Sequence, residues 1–222
     1  MNLLKKITKL LVCFSIMFIF LTFVKPTKVE AKASGYISKT QEYRACWVSV
    51  YTGDIPSYQN EEQYKAAFNT ILDNMEKWGM NAIVYHVRIH NDALYNSDTC
   101  PIRSAWASVN FDEFDPLTWS IEAAHARGIE FHAWLNPYRV SSSGVSSTAE
   151  LNTITNKFPS TNPASDASNL LYTSGGVILD PGLPNVRQFI VDTCMDIVNK
   201  YDVDAIHFDD YFYISGCDDT KT

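Results

Sequence analysis

The sequence predicts an α/β fold of the TIM type, a (β/α)8 barrel of which this chain holds about the first four β/α units. Apolar, strand-like runs alternate with amphipathic helical patterns, and this order is typical of parallel strands joined by crossover helices. The alternative is an open doubly wound sheet, but no glycine-rich phosphate loop follows the first run. Polar residues also end several different predicted strands, where barrel enzymes place their sites: Arg88, Asn136, Asp209 and Asp210.

Four strands and three helices are predicted along the chain. The strands are residues 43–51, 82–88, 129–136 and a run that begins at residue 204. The helices are residues 61–78, 115–128 and 184–200. Gly79 and Gly128 stop the first two helices. Asp115 as a cap and Pro116 in the first turn open the second helix, and Pro184 opens the third.

Residues 141–174 separate the third strand from the third helix and are rich in Ser, Thr, Asn and Pro. We expect a long loop here, and long loops in compact domains tend to be functional. A whole barrel needs roughly 250 residues and eight strands. The sequence therefore predicts an incomplete barrel with an open edge after the fourth strand.

Residues 1–33 have the features of a secretory signal peptide, which leaves residues 34–222 for the barrel domain. Three lysines at positions 5, 6 and 9 precede an apolar run over residues 10–24, and Ala31-Lys32-Ala33 supplies a small-x-small cleavage site. The alternative is a membrane-spanning anchor, which usually needs about 20 apolar residues. We therefore expect a secreted or cell-surface protein that meets the membrane only through its signal segment.

Without residues 1–33 the chain keeps 12 basic and 24 acidic residues, a net charge of −12. Because phosphate binding depends on a basic surface, nucleic acid is not an expected partner. Four cysteines remain, too few for a small disulfide-stapled protein. Cys46 and Cys194 fall within strand and helix patterns that predict buried thiols, and a Cys100–Cys217 disulfide stays open.

The stretch from residue 204 to residue 213 is the strongest functional signal, because a short strand there ends in two adjacent carboxylates among aromatic residues. Strand alternation puts His207 and Asp209 on one face and Ile206 and Phe208 on the other. A strand with one apolar face and one His/Asp face is suited to the floor of a polar cleft.

Asp209 and Asp210 are the predicted catalytic residues, with Asp209 pointing inward. A carboxylate at a strand end can stabilise or attack the oxocarbenium-like centre of glycoside hydrolysis. That chemistry needs a second carboxyl group about 5–5.5 Å away for retention or 6.5–9.5 Å away for inversion. A structural interpretation also stands, in which one Asp caps a turn and the other pairs with Arg88 or Arg139.

The predicted cleft walls carry side chains suited to a sugar. Alternation on the third strand puts His132, Trp134 and Asn136 on one face, although Trp134 could equally be barrel core. On the second strand His86 and Arg88 are expected to share a face, although Arg88 could instead form a structural ion pair with Asp92. The predicted substrate-binding residues are Arg88, Asp92, Tyr95, His132, Trp134, Asn136, Arg139, His207 and Tyr211.

Three histidines leave a different chemistry open. His86, His132 and His207 have one strand parity, and with Asp209 they could hold a catalytic metal. No His-x-His or His-Glu-x-x-His pair accompanies them, and no cofactor or metal is expected. A metal-dependent hydrolase and a non-catalytic glycan-binding protein remain the alternative functions.

Several motifs match a known family. The matching stretches are VRIHNDALY at 87–95, FDPLTWSIEAAHARGIEFHAWLNPYRV at 114–140, LDPGLPNVRQFI at 179–190 and YDVDAIHFDDYFY at 201–213. Through them the chain resembles the exported bacterial proteins of glycoside hydrolase-like family 10, which are expected to fold as (β/α)8 barrels. The chain departs from the family pattern at Ile89 and Ile214, where proline is expected.

The resemblance implies hydrolysis of glycosidic bonds in a cell-wall or extracellular polysaccharide, with peptidoglycan glycan strands as one candidate. It implies Asp209 and Asp210 as the acidic pair, lined by Arg88, Asp92, His132, Asn136 and Arg139. By analogy with other barrel glycosidases, we expect the second catalytic carboxylate beyond Thr222, so that this chain is truncated and inactive alone. A monomer is expected at full length.

Overall fold

The computed structural model describes residues 42–209 together with Phe212, Ile214 and Gly216. The described residues from Tyr43 onward belong to one compact unit. Several predictions lie outside the described residues: the signal segment 1–33, Asp210, Tyr211 and Cys217.

A parallel sheet with crossover helices confirms the predicted α/β class, a partial TIM-type barrel. The strands are β1 (Ala45–Val48), β2 (Ala82–Arg88), β3 (Glu130–Leu135), β4 (Arg139–Ser141), β5 (Leu170–Thr173), β6 (Gly176–Leu179) and β7 (Ala205–Phe208). The helices are α1 (Glu61–Lys77), α2 (Pro116–His125), α3 (Thr148–Thr155) and α4 (Pro184–Lys200). The main sheet has the order β1-β2-β3-β7, and its strands are parallel.

The main helices begin and end at residues that the sequence marks. Asn60 caps α1, and Asp115 caps α2 by accepting hydrogen bonds from two backbone N–H groups. Gly79 and Gly128 follow the ends of these helices with φ of 66° and 69°, a left-handed conformation that costs glycine little because it has no Cβ. None of the helices in residues 42–209 is both long and apolar enough to cross a membrane.

The two faces of β3 have different environments. Phe131 and Ala133 are fully buried in the hydrophobic core between sheet and helices, whereas His132 and Trp134 on the other face are half-buried. Since alternate residues of a strand face opposite sides, the second face is the interior of the partial barrel. The predicted alternation along this strand is confirmed.

The segment between β3 and α4 corrects the prediction of a long loop over residues 141–174. It folds into a small antiparallel sheet of order β4-β6-β5, with α3 and two short 3-10 turns between β4 and β5. Ser147 caps α3 by accepting a hydrogen bond from the backbone N–H of Glu150. At Gly144 a Cβ would lie 2.1 Å from backbone atoms of Ser174, so only glycine fits there. Serine and glycine therefore supply caps and close packing in this segment.

The cysteines are thiols in the described part of the chain. Cys46, Cys100 and Cys194 are free, so the possible disulfide of Cys100 is not formed. Cys100 is buried, whereas Cys46 and Cys194, which the sequence predicted as buried, are only half-buried.

Candidate active site

Aromatic side chains from four strands meet on the inner face of the partial barrel. They are Trp47 of β1, His86 of β2, Trp134 of β3 and His207 of β7, and we call them the aromatic platform. Trp47 packs edge-on against Trp134 and against His207, with ring centroids 4.5 Å apart in both pairs. His86 stacks on Trp134 at 3.6 Å. The four rings therefore form one connected surface near the carboxyl ends of their strands.

His86 is the neutral member of the platform. Its Nδ1 lies 2.9 Å from the hydroxyl oxygen of Ser49. Burial, followed by the positive charges of Arg103 and Arg139, lowers the pKa of His86 to about 3. His86 is therefore uncharged at neutral pH, and the predicted site residue Arg139 lies close enough to influence it.

Asp209 directly follows β7, at the end of the platform. Burial and the nearby His132 lower the pKa of His207, whereas the Asp209 carboxylate opposes this change. The Asp209 carboxylate is therefore close enough to influence the charge of His207, and strand alternation predicts that the two side chains share a face. Asp209 is half-buried, and its predicted partner Asp210 lies outside the described residues.

Two other predicted site residues, His132 on β3 and Asn136 just after it, lie at different positions along the strand direction. His132 is near the amino end of the strand, with Nδ1 3.1 Å from the hydroxyl of Tyr43 and Nε2 3.3 Å from a carboxylate oxygen of Glu130. Asn136 follows the strand and is buried. Its side-chain oxygen accepts a hydrogen bond of 2.9 Å from the backbone N–H of Arg139. Asn136 therefore shapes the turn after β3, and His132 lies deeper in the barrel than Trp134.

Arg88 does not share a face with His86, so that prediction is wrong. The register between β2 and β3 shifts between these two residues, and such a bulge interrupts strand alternation. Arg88 is fully buried, and its guanidinium donates to the backbone oxygens of Asn136 and Pro137 and, at 2.6 Å, to Oδ1 of Asn91. Arg88 therefore ties the end of β2 to the end of β3.

Asp92 and Tyr95, both predicted to line the cleft, have contacts within the scaffold. Asp92 forms an ion pair of 2.5 Å with Arg103, so the alternative pair with Arg88 is not observed. Tyr95 is fully buried, and its ring packs edge-on against Tyr201 at 5.9 Å. Tyr95 thus belongs to the core, because the loop after β2 folds back against the helical layer.

The sequence prediction missed a pocket of about 530 Å³ at the carboxyl edge of the sheet. His90 and Asp92 line it from the loop after β2, and residues 141–143 line it from the end of β4 and beyond. Lys157 and Phe158, just after α3, complete it. Because these residues come from distant parts of the sequence, no local pattern marks the pocket.

Trp47 and Ser49 were also missed. Trp47 points away from the face of Cys46 and Val48, so alternation within the first predicted strand gave a usable signal for it. Alternation alone, however, does not tell which face of an edge strand is the interior. Ser49 was not identifiable, because only the parallel pairing of β1 with β2 brings it to His86.

The histidines of the alternative metal site serve in other contacts. Within residues 42–209, 212, 214 and 216, no three His, Cys, Asp or Glu side chains are grouped to hold a metal ion. His86 stacks on Trp134, and His207 packs against Trp47.

Comparison with known proteins identifies one matching family and relatives with related descriptions. A family model described as glycosyl hydrolase-like 10 matches residues 42–221. YngK of Bacillus subtilis, described as a glycosyl hydrolase, is 34% identical over 211 residues, which cover 92% of this chain and 39% of YngK. DigH of Escherichia coli K12, also described as a glycosyl hydrolase, is 32% identical over 149 residues, 64% of this chain and 33% of DigH. The chain therefore spans well under half the length of both relatives.

Among solved structures, an uncharacterised protein of Listeria monocytogenes EGD-e superposes with a TM-score of 0.39 and 12% identity. The match covers 76% of this chain and 16% of that protein.

Proposed function

The chain belongs to the glycosyl hydrolase-like 10 family, and from this premise we propose that it hydrolyses glycosidic bonds in a bacterial cell-wall or extracellular polysaccharide. Glycan strands of peptidoglycan are the first candidate substrate. The observation that carries the proposal is the position of Asp209, directly after β7 and two residues after His207, a member of the aromatic platform. Barrel enzymes place their active sites at this end of the strands.

The aromatic platform is the proposed sugar-binding surface. Trp47 remains 48% exposed although it touches two other rings. A pyranose presents a face of C–H groups that packs well on such an exposed indole, while its hydroxyl groups need polar partners. His207 and Asp209 provide those partners at the end of the platform. This arrangement orients one sugar ring against the Asp209 carboxylate.

Asp209 is the proposed nucleophile or charge-stabilising group. Its negative charge lowers the energy of the positive charge that develops at the anomeric carbon as the glycosidic bond breaks. In a retaining reaction the same oxygen would bond to that carbon, and the leaving oxygen would take a proton from a second carboxylic acid.

The second acid is proposed to come from outside the described residues. Asp54 accepts a hydrogen bond of 2.5 Å from the hydroxyl of Thr52, and Asp92 is paired with Arg103. Asp180, directly after β6, accepts a hydrogen bond of 2.8 Å from the backbone N–H of Gly182, so these three carboxylates near strand ends already have scaffold partners. Asp210 is the nearest candidate in sequence.

Glycan binding without hydrolysis is the second candidate function. The scaffold contacts of Asp54 and Asp92 favour it, because binding uses the same platform and needs no second acid. This function would also place the protein at a polysaccharide surface.

We also propose that residues 1–33 direct export, since the polysaccharide substrate lies outside the cytoplasm. Sequencing the amino terminus of protein recovered from the cell surface or medium tests this proposal. A start near residue 34 supports it, and an intact amino terminus in the cytoplasm contradicts it.

Counting new reducing ends in purified peptidoglycan strands and in neutral polysaccharides tests the proposed activity. Hydrolysis predicts new reducing ends with the full-length protein and none with its Asp209→Asn variant. Saturable binding without new reducing ends would favour the binding function. Loss of activity with a chelator, restored by zinc or manganese, would favour the metal-dependent alternative.

A further inference from the structure

The pocket beside β4 is separate from the aromatic platform and has the properties of a second ligand site. Its volume of about 530 Å³ lies within the range of small-molecule sites, roughly 300–1,000 Å³. We propose that this pocket is a second carbohydrate subsite that binds a carboxylate-bearing sugar residue, with Lys157 as the partner of the carboxylate.

The floor of the pocket is fixed before any ligand binds. Asp92 accepts a hydrogen bond of 2.9 Å from the backbone N–H of His90 and forms the ion pair with Arg103. A parallel bridge between Ala93 and Ile102 joins the two arms of the same loop. A site built on a loop with these internal bonds loses little conformational freedom on binding, which favours affinity.

The opposite wall supplies both kinds of contact that a sugar needs. Residues 141–143 contribute serine hydroxyl groups, and Phe158 contributes an apolar ring. Tyr51, in the loop after β1, packs edge-on against His90 at 5.1 Å and donates a hydrogen bond of 3.4 Å to the hydroxyl of Ser142. Segments that follow β1, β2 and β4 therefore meet at this pocket, and the contacts of Tyr51 help to hold its serine wall in place.

The charge of the pocket favours an anion. The negative charge of Asp92 is balanced by Arg103. Burial lowers the pKa of His90 to about 4, although Asp92 opposes this change, so the imidazole is uncharged at neutral pH. Lys157 is exposed and takes part in no ion pair within the described part of the chain. The positive charge of Lys157 is therefore not balanced by these groups, although the protein as a whole has a net negative charge. One carboxylate on the ligand would balance the charge of Lys157.

This inference rests on the proposed carbohydrate function, but it does not depend on Asp209, which is not part of the pocket lining. Binding is therefore measured with the Asp209→Asn protein, so that hydrolysis does not consume the ligand. Two acidic sugars are titrated by calorimetry: a uronic-acid trisaccharide and a disaccharide that contains N-acetylmuramic acid. The methyl ester of each is its uncharged counterpart.

We expect one of the acids to bind about three to five times more tightly than its ester, the effect of one partly exposed ion pair. Adding Lys157→Gln should remove this preference. Lys77→Gln makes the same charge change at the end of α1 and should leave it intact. Phe158→Ala should weaken acid and ester alike. The acid that shows the preference identifies the source of the carboxylate.

Equal binding of both acids and their esters would overturn the proposal, as would a preference that survives Lys157→Gln. No effect of Phe158→Ala on either ligand would also overturn it, because the ligand would then bind elsewhere. If these titrations fail while the unmodified protein still releases reducing ends, only the subsite is rejected. If binding holds and no reducing ends appear, only the hydrolase function is rejected.

Discussion

The imidazole of His86 lies flat against the indole of Trp134, with ring centroids 3.6 Å apart and 10° between the ring planes. Trp134 in turn meets the ring of Trp47, which is 48% exposed on the inner face of the sheet. His86 itself is buried and bonded to Ser49. The orientation of the exposed platform surface is therefore set by a buried, uncharged histidine.

The low pKa of His86 predicts that acid destabilises the fold. Its pKa is lowered from 6.5 to about 3, so between these values the folded state binds fewer protons than the unfolded state. The free energy of unfolding should therefore fall as pH decreases through this window, and the contribution is fully present above it. Replacing His86 with Gln should reduce this slope by up to about 1.4 kcal/mol per pH unit. Urea unfolding at about pH 7 and about pH 5 measures this change in the free energy of unfolding with pH. Equal slopes for the unmodified protein and the His86→Gln variant would contradict the low pKa of His86.

Arg88 is predicted to stabilise the fold strongly. Arg88→Lys should lower the free energy of unfolding by about 3 kcal/mol, because a lysine cannot replace the fork of bonds to Asn91, Asn136 and Pro137. Arg187→Lys is the matched control, since Arg187 also donates to backbone carbonyl groups but is exposed. It should change stability by less than about 1 kcal/mol. A similar, small effect of both substitutions in denaturant titration would contradict the stabilising role of the Arg88 hydrogen bonds between the ends of β2 and β3.

Trp47 is predicted to bind the sugar. Trp47→Ala should weaken glycan affinity about fivefold, a loss of about 1 kcal/mol, with little change in stability because the ring is half-exposed. Tyr172→Ala serves as control, since Tyr172 is an aromatic residue on β5, in the small antiparallel sheet, and is 37% exposed. Both are titrated with glycan in the Asp209→Asn background. Equal affinities of the two variants would remove Trp47 from the binding surface.

The spacing of apolar residues, together with the residues that mark helix ends, made the main helices and strands predictable from the sequence. Gly79, Gly128 and Asp115 mark helix ends by local backbone chemistry, so their positions can be read from the sequence. The alternation of β3 likewise separated Phe131 from Trp134. These signals depend only on near neighbours along the chain.

Other features depend on contacts between segments that are distant in sequence, so they could not be predicted from the sequence alone. The bulge after His86 turns Arg88 away from the platform, and register shifts leave no mark in alternation. The pairing of β5 with β6 was missed although Gly175 lies in the turn between them, because both strands are short. The pocket at Lys157 arises only when the segment after β3 folds back over the loop after β2.

The most direct test of the central claim compares Asp209→Asn with Asp202→Asn. Both changes remove one negative charge near β7, but Asp202 precedes the strand, at its opposite end, and its side chain is 99% exposed. The measurement is the release of reducing ends from a polysaccharide that the unmodified protein cleaves. The account predicts that Asp209→Asn abolishes release while glycan binding and thermal stability persist, and that Asp202→Asn retains full activity. Retained cleavage by a folded Asp209→Asn protein would contradict it.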